Sequence, residues 1–323
     1  MTGDLEYKLL GGGETSETKI PAPSLATSIE EAQSVSLSVR PLGESFAAEI
    51  SGLDVSKDVD SELWSALYQA FLDYKVVAIR SQSLTAAEFH SFGERFGPVE
   101  PHTIAIFRHP DREGITLLSN RMEMGRPKGI RDAGSHWHSD YSYKAVPSKA
   151  TLLYALEIPA EGGDTLFADL QAAYEALPSE MKRRAANRFV RHQYRWSRDP
   201  NHPEGRWKLL SRDELANTPE VIHPLIRIHP ETGAKSIFAF PGITSGVRGI
   251  IGLSQEESDE LLESLYRHCT QPQFQIRYRW QVGDVVLWDN RGTMHCATTD
   301  SLPPDRYRTL WRINTTGSIP EPA

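Results

Sequence analysis

The sequence predicts a mainly β chain with peripheral helices, folded as a double-sheet jelly roll. Three observations point there. Short strand-like runs predominate, and helices flank or interrupt them. The regular strand–helix alternation and Gly-rich phosphate turn that a doubly wound α/β fold needs are not seen. The residues that read as metal ligands lie near both ends of the β-rich region, and a jelly roll makes neighbours of strands distant in sequence.

The elements follow in order. Residues 1–33 hold Gly11-Gly12-Gly13, several Ser and Thr, and prolines at 21 and 23. Their low, aperiodic apolar content predicts a flexible N-terminal tail, with residues 34–323 forming one domain. Ser34 to Val39 alternates polar and apolar and reads as a first strand. Asp60 opens a helix running to about Asp73, with Leu63, Leu67, Ala70 and Phe71 on one face. Lys75 to Arg80 is a strand rich in β-branched residues. Thr85 with Glu88 forms a capping box, and Phe89, Phe92 and Phe96 follow as core residues before Gly97. Residues 98–134 carry Pro98, Pro101, Pro110 and Pro127 and read as an irregular active-site loop.

Beyond that loop, Ala150 to Leu156 is a buried strand. Glu161 to Asp164 is a turn, Thr165 to Ala168 a short strand, and Asp169 a helix cap. Residues 195–220 are polar with no clean period and read as a second loop over the site. Strands resume at Val221 to Arg227 and Lys235 to Phe240. Ser254 with Glu257 is a second capping box, for a helix to about Cys269. Phe274 to Trp280 alternates strictly, Gly283-Asp284 turns into Val285 to Trp288, and Tyr307 to Thr315 is the last strand.

Composition narrows the function classes. A net charge of -8 and a pI of about 5.8 leave no basic field for nucleic acid. No apolar run approaches a membrane span. The first residues, Met1-Thr2-Gly3-Asp4-Leu5-Glu6, lack the basic and apolar regions of a signal peptide. Cys269 and Cys296 do not make a disulfide framework, so a reducing cytoplasm is the expected location.

The chemistry centres on His136-Trp137-His138-Ser139-Asp140. On a strand, His138 and Asp140 project to the same side and can grip one ion. The third ligand must come from a neighbouring strand, and His295 is the best candidate. Two histidines and one carboxylate make the facial triad that leaves open positions on non-haem Fe(II). His136 breaks the spacing and is set aside. Cys296 should point away from the metal as a buried thiol. His192, His202, His223, His229 and His268 have no constellation.

Several motifs together resemble the taurine dioxygenase family, which includes enzymes that open chlorophenoxyacetate herbicides. They are Trp137-His138-Ser139-Asp140, Gly162-Gly163-Asp164-Thr165, Trp288-Asp289-Asn290-Arg291 up to His295, and Arg308-x-x-x-Arg312. His223-Pro224-Leu225, Thr232-Gly233 and the run from Phe274 to Asp289 add to the set. The likeness covers roughly residues 34–315. It implies an Fe(II)- and 2-oxoglutarate-dependent dioxygenase on a double-stranded β-helix, consuming O2 and giving succinate and CO2. It also implies that Arg308 and Thr165 hold the far carboxylate of 2-oxoglutarate, since a guanidinium binds carboxylate in a bidentate fork. Arg308 and Arg312, four apart on a predicted strand, would face one side about 13 Å apart. By the same likeness Arg312 holds an acidic group of the prime substrate and His102 contacts it. Tyr141 and Tyr143 stand beside the triad and could line the pocket. The family forms homodimers and homotetramers.

The departures bear on substrate. The family's tyrosine just after His102 is Ala105 here, its phenylalanine in the insertion falls near Arg198, and its asparagine before the metal motif falls near Gly134 or Ser135. A different or larger acid than taurine is therefore expected: a sulfonate, sulfate ester, aryloxy acid or amino-acid derivative. Desaturation or oxidative decarboxylation would use the same cofactors. Halogenation is disfavoured because Asp140 fills the position chloride would take. A non-oxidative metal-dependent lyase or hydrolase would not need the Arg308–Thr165 clamp, and an intact triad argues against an inactive binding protein.

Overall fold

A computed structural model of the protein describes residues 37–44, 46–131, 133–194, 216, 218–239 and 246–323. The predicted tail and most of the predicted loop at 195–220, Arg198 included, lie outside the described residues.

The principal sheet has eight strands. Their spatial order is Ser38–Pro41, Ala48–Ser51, Val76–Ile79, Val285–Asp289, Ser148–Glu157, Thr309–Thr316, Arg112–Ser119 and Arg108–His109. Only the Ala48–Ser51 and Val76–Ile79 pair in it is parallel. A second sheet orders Gln275–Tyr278, Thr165–Asp169 and Thr293–Ala297. Segments from both ends of the chain thus alternate, as the jelly roll requires.

Strand periodicity sorts the core into layers. Val286 and Trp288 face the second sheet and pack with Leu153, Ala155, Phe167 and Leu310. Phe167 and Trp288 meet edge-on at 5.3 Å across the two sheets. Val285 and Leu287 face the other way, with Leu152, Tyr154 and Ile313, under the helices Ser61–Tyr74 and Ala86–Glu94. Phe71, Phe89 and Phe96 are fully buried there. Each such side chain contributes about 1.5–3 kcal/mol by leaving water.

Local signals account for the helix ends. Asp60 accepts from the amides of Glu62 and Leu63 at 2.9 Å. Both capping boxes, Thr85 with Glu88 and Ser254 with Glu257, are formed. Lys75 ends the first helix in a left-handed conformation, φ 63°.

Three expectations are corrected. The stretch 98–134 is not loop throughout. It contributes Arg112–Ser119 to the principal sheet and a small hairpin, Met122–Glu123 with Arg126–Pro127. Arg308 precedes its strand, which begins at Thr309 and shifts register between Thr309 and Leu310. His138 and Asp140 do not share a strand: His138 makes an isolated bridge, and Asp140 enters a turn. Among the described residues no helix is long and apolar enough to cross a membrane.

Candidate active site

The candidate metal ligands come together between the two sheets. His138 bridges His295 with paired backbone hydrogen bonds of 3.0 and 2.9 Å. Asp140 follows in a turn, and Tyr141 after it has φ 56°, a conformation costly for a non-glycine residue. One ligand atom from each of His138, Asp140 and His295 lies within 4.8 Å of the others, and all three residues are buried. His138 Nε2 is 3.6 Å from Asp140 Oδ1, and His295 Nε2 is 3.8 Å from Asp140 Oδ2. Neither His136 nor Cys296 joins this group. Cys296 packs instead into the apolar cluster on the far side of its strand.

Protonation suits a cation. His138 Nδ1 lies 2.8 Å from the His136 carbonyl and can only donate there, which leaves Nε2 as the ring nitrogen facing the site. Burial, then the neighbouring His138, pushes His295 well below the usual imidazole range and keeps it neutral. Burial alone would raise the Asp140 carboxyl. His295, His138 and Arg312 around it prevail and hold it well below the carboxylate range. Two neutral imidazoles and one carboxylate fit a ferrous ion with open positions.

Asp140 is held from behind. Thr151 Oγ donates to its Oδ2 at 2.6 Å, and its backbone amide donates to Asn290 Oδ1 at 3.1 Å. Thr151, Asn290 and Asn314 were not singled out from the sequence for a role. Only Asn290 carried a signal, as a member of the Trp288-to-His295 motif.

A second pole is cationic. Arg308 is buried, and its Nε has no hydrogen-bond partner among the described residues. Its Nη2 lies 3.4 Å from Thr165 Oγ, which also accepts from Trp280 Nε1 at 3.0 Å. With both contacts accepted, the Thr165 proton is left to donate elsewhere. Burial pushes Arg308 down to about 9, with Asp164 opposing. A buried guanidinium without a close carboxylate is costly unless an anion joins it. A small cleft beside it is lined by Ser119, Ile130, Thr299, Leu302 and Arg308. These residues fit the far carboxylate of 2-oxoglutarate.

Arg312 lies on the metal side. Its Nη1 is 3.9 Å from Asp140 Oδ1, and its Nε is buried without a partner among the described residues. The Tyr141 hydroxyl is buried and likewise without one. Burial raises Tyr141 above the usual phenol range, with Arg312 opposing. Tyr143 lies 5.8 Å from Tyr141 and 4.3 Å from Tyr194, forming a buried aromatic cluster. His102 is buried but folded on its own loop, its Nδ1 3.1 Å from the Ile104 amide. Its neighbour Thr103 hydrogen-bonds Tyr143, which ties that loop to the cluster.

Comparison with known proteins identifies the family. The chain is 35% identical over 273 residues to pentalenolactone F synthase of Streptomyces arenae, covering 80% of this chain and 89% of that protein. It is 33% identical to an alkylsulfatase of Acinetobacter baylyi, covering 88% and 86%. The crystal structure of AAD-2 in complex with Mn(II) and N-oxalylglycine superimposes with a TM-score of 0.75 at 28% identity, over 89% of this chain and 99% of that one. The family profile described as taurine catabolism dioxygenase TauD, TfdA family matches residues 38–314. The chain therefore belongs to the TauD/TfdA family of Fe(II)- and 2-oxoglutarate-dependent dioxygenases.

Proposed function

We propose that the protein oxidises a C–H bond of a small organic anion, with His138, Asp140 and His295 holding Fe(II), Arg308 and Thr165 holding 2-oxoglutarate, and Arg312 and Tyr141 holding the prime substrate. One observation carries this reading. The three-ligand cluster is accompanied by two arginines, the buried Arg308 and the half-buried Arg312, each with a buried Nε that nothing among the described residues satisfies.

With its cosubstrate and dioxygen, Fe(II) supplies oxidative decarboxylation to succinate and CO2 and the insertion of oxygen into a C–H bond. The protein's own residues do the rest. Arg308 offers a charged fork and Thr165 a hydroxyl proton to one carboxylate, which fixes the cosubstrate's far end. Arg312 offers a second cation on the Asp140 side, and Tyr141 a donor beside it. Two separated cations can hold two different anions at once. The Tyr141–Tyr143–Tyr194 cluster and Trp288 exclude water, strengthening each charge contact. His102 shapes the wall through its loop.

The similarity to an alkylsulfatase supports a sulfate ester or sulfonate as the anion, and an aryloxy acid presents the same charge. Oxidation at a carbon bearing an ester or ether oxygen gives an unstable product that releases the acidic group or phenol. The test is a screen of sulfate esters, sulfonates, aryloxy acids and amino-acid derivatives with Fe(II) and 2-oxoglutarate, read as substrate-driven succinate. Turnover should track acids. Equal turnover of neutral analogues would refute the assignment of Arg312.

A further inference from the structure

We propose that Thr151 is a positioning residue for the metal centre: oriented by Asn290 and Asn314, its single hydroxyl proton holds one oxygen of Asp140 and leaves the other for the ion. The inference rests on the reading that His138, Asp140 and His295 bind the metal.

The geometry leaves no freedom in the direction of these hydrogen bonds. Asn290 Oδ1 lies 3.2 Å from Trp288 Nε1 and 3.1 Å from the Asp140 amide. An indole N–H and a backbone N–H can only donate, so the oxygen of the Asn290 amide must face them. Its Nδ2 must then face Thr151 Oγ, at 2.8 Å, and can only donate to it. Asn314 Nδ2 reaches the same hydroxyl at 2.7 Å and also Ser148 Oγ at 3.2 Å. Ser148 directs its own proton to the Thr315 carbonyl at 3.1 Å, so it too accepts from Asn314. Both lone pairs of Thr151 are filled, and its proton is committed to Asp140 Oδ2 at 2.6 Å. The side chains of Asp140, Ser148, Thr151, Trp288, Asn290 and Asn314 are all buried, so water does not compete.

A hydroxyl on a carboxylate at this distance is a strong, charge-assisted bond. It opposes rotation of the Asp140 carboxylate and draws charge from Oδ2. Asp140 Oδ1, 3.6 Å from His138 Nε2 and 3.9 Å from Arg312 Nη1, is the oxygen that Thr151 leaves for the ion. A carboxylate held to one donor atom keeps a coordination position open that a two-oxygen grip would close.

The test is an equilibrium titration of the metal-free, full-length protein with Mn(II), read by the signal of free Mn(II). Wild type should bind and His138→Ala should not; no difference between them would sink the metal-centre reading itself. Given that difference, Thr151→Val should weaken Mn(II) binding about 10- to 100-fold, as loss of a support behind a ligand does. Thr151→Ser, which keeps the hydroxyl, should stay close to wild type. Thr151→Val binding as tightly as wild type would overturn the proposal. So would Thr151→Ser binding as weakly as Thr151→Val, because a packing role would then explain both. If Thr151→Val does not fold, Asn314→Leu takes its place. It frees the hydroxyl to turn away and should weaken Mn(II) several-fold; unchanged affinity would overturn the proposal.

Discussion

His138 and His295 face each other across a single antiparallel bridge, with their rings 4.1 Å apart. No continuous strand around His138 is needed. Two backbone hydrogen bonds set the register, and the outer strand Thr293–Ala297 supplies the rigidity. The two candidate imidazole ligands are therefore positioned by one local pairing that small backbone changes can break.

Gly134→Ala tests that pairing. The Gly134 carbonyl accepts from the Ala297 amide at 2.7 Å, beside the bridge. Gly134 has φ 75°, and an added Cβ would sit 2.6 Å from His138 Cε1. The imidazole would have to move. Metal affinity should fall about tenfold or more, as for other losses of ligand support, with 2-oxoglutarate binding by the loaded enzyme less affected. Direct titration of both ligands checks this.

Gly163→Ala should do the converse. Its φ is 70°, and a Cβ there would lie 2.9 Å from Arg308 Cδ. Shifting the guanidinium should raise the KM for 2-oxoglutarate about tenfold or more, the cost of spoiling one charged hydrogen bond. Mn(II) affinity should change little. An unaltered KM would mean that Arg308 does not hold the cosubstrate.

Much of this arrangement is legible in sequence where the cause is local. The caps at Asp60, Thr85 and Ser254 depend on residues within one turn, and the structure forms each of them. His138-x-Asp140 reads as a metal pair by spacing, although a turn rather than a strand delivers it. Arg112–Ser119 is less legible. Its burial follows no simple alternation because it lies between two strands, with helix Ala86–Glu94 against it. Thr151 is illegible alone. Its neighbours Trp288 and Asn314 come from far along the chain, and sheet register alone places them beside it.

Arg312→Ala should separate the two anion sites. Removing a largely desolvated cation opposite a bound anion costs about 2–5 kcal/mol. The KM of the acidic prime substrate should rise on the order of 30-fold or more, with that of 2-oxoglutarate nearly unchanged. Initial-rate kinetics with each varied in turn distinguish this from a shared role, in which both would rise together.

His223 predicts an acid limb in stability. It lies between His192 and Phe238, at 5.3 Å from each, and donates from Nε2 to the Lys144 carbonyl at 2.9 Å. Burial pushes it down to about 4, against a usual 6.5. Below pH 6.5 the unfolded chain takes up the proton first, so this contribution is lost as pH falls from 6.5 towards 4. The loss amounts to about 3 kcal/mol. His223→Gln should flatten urea-unfolding free energy over that window. A variant with the wild-type slope would exclude His223 as the cause.

The most direct test of the central claim is the stoichiometry of succinate formed per O2 consumed, with Fe(II), 2-oxoglutarate and an accepted acidic substrate, in wild type and Asp140→Ala. The triad reading predicts about one succinate per O2 in wild type, since the two steps share one iron, and loss of both signals in the variant. Undiminished succinate formation in Asp140→Ala would contradict it.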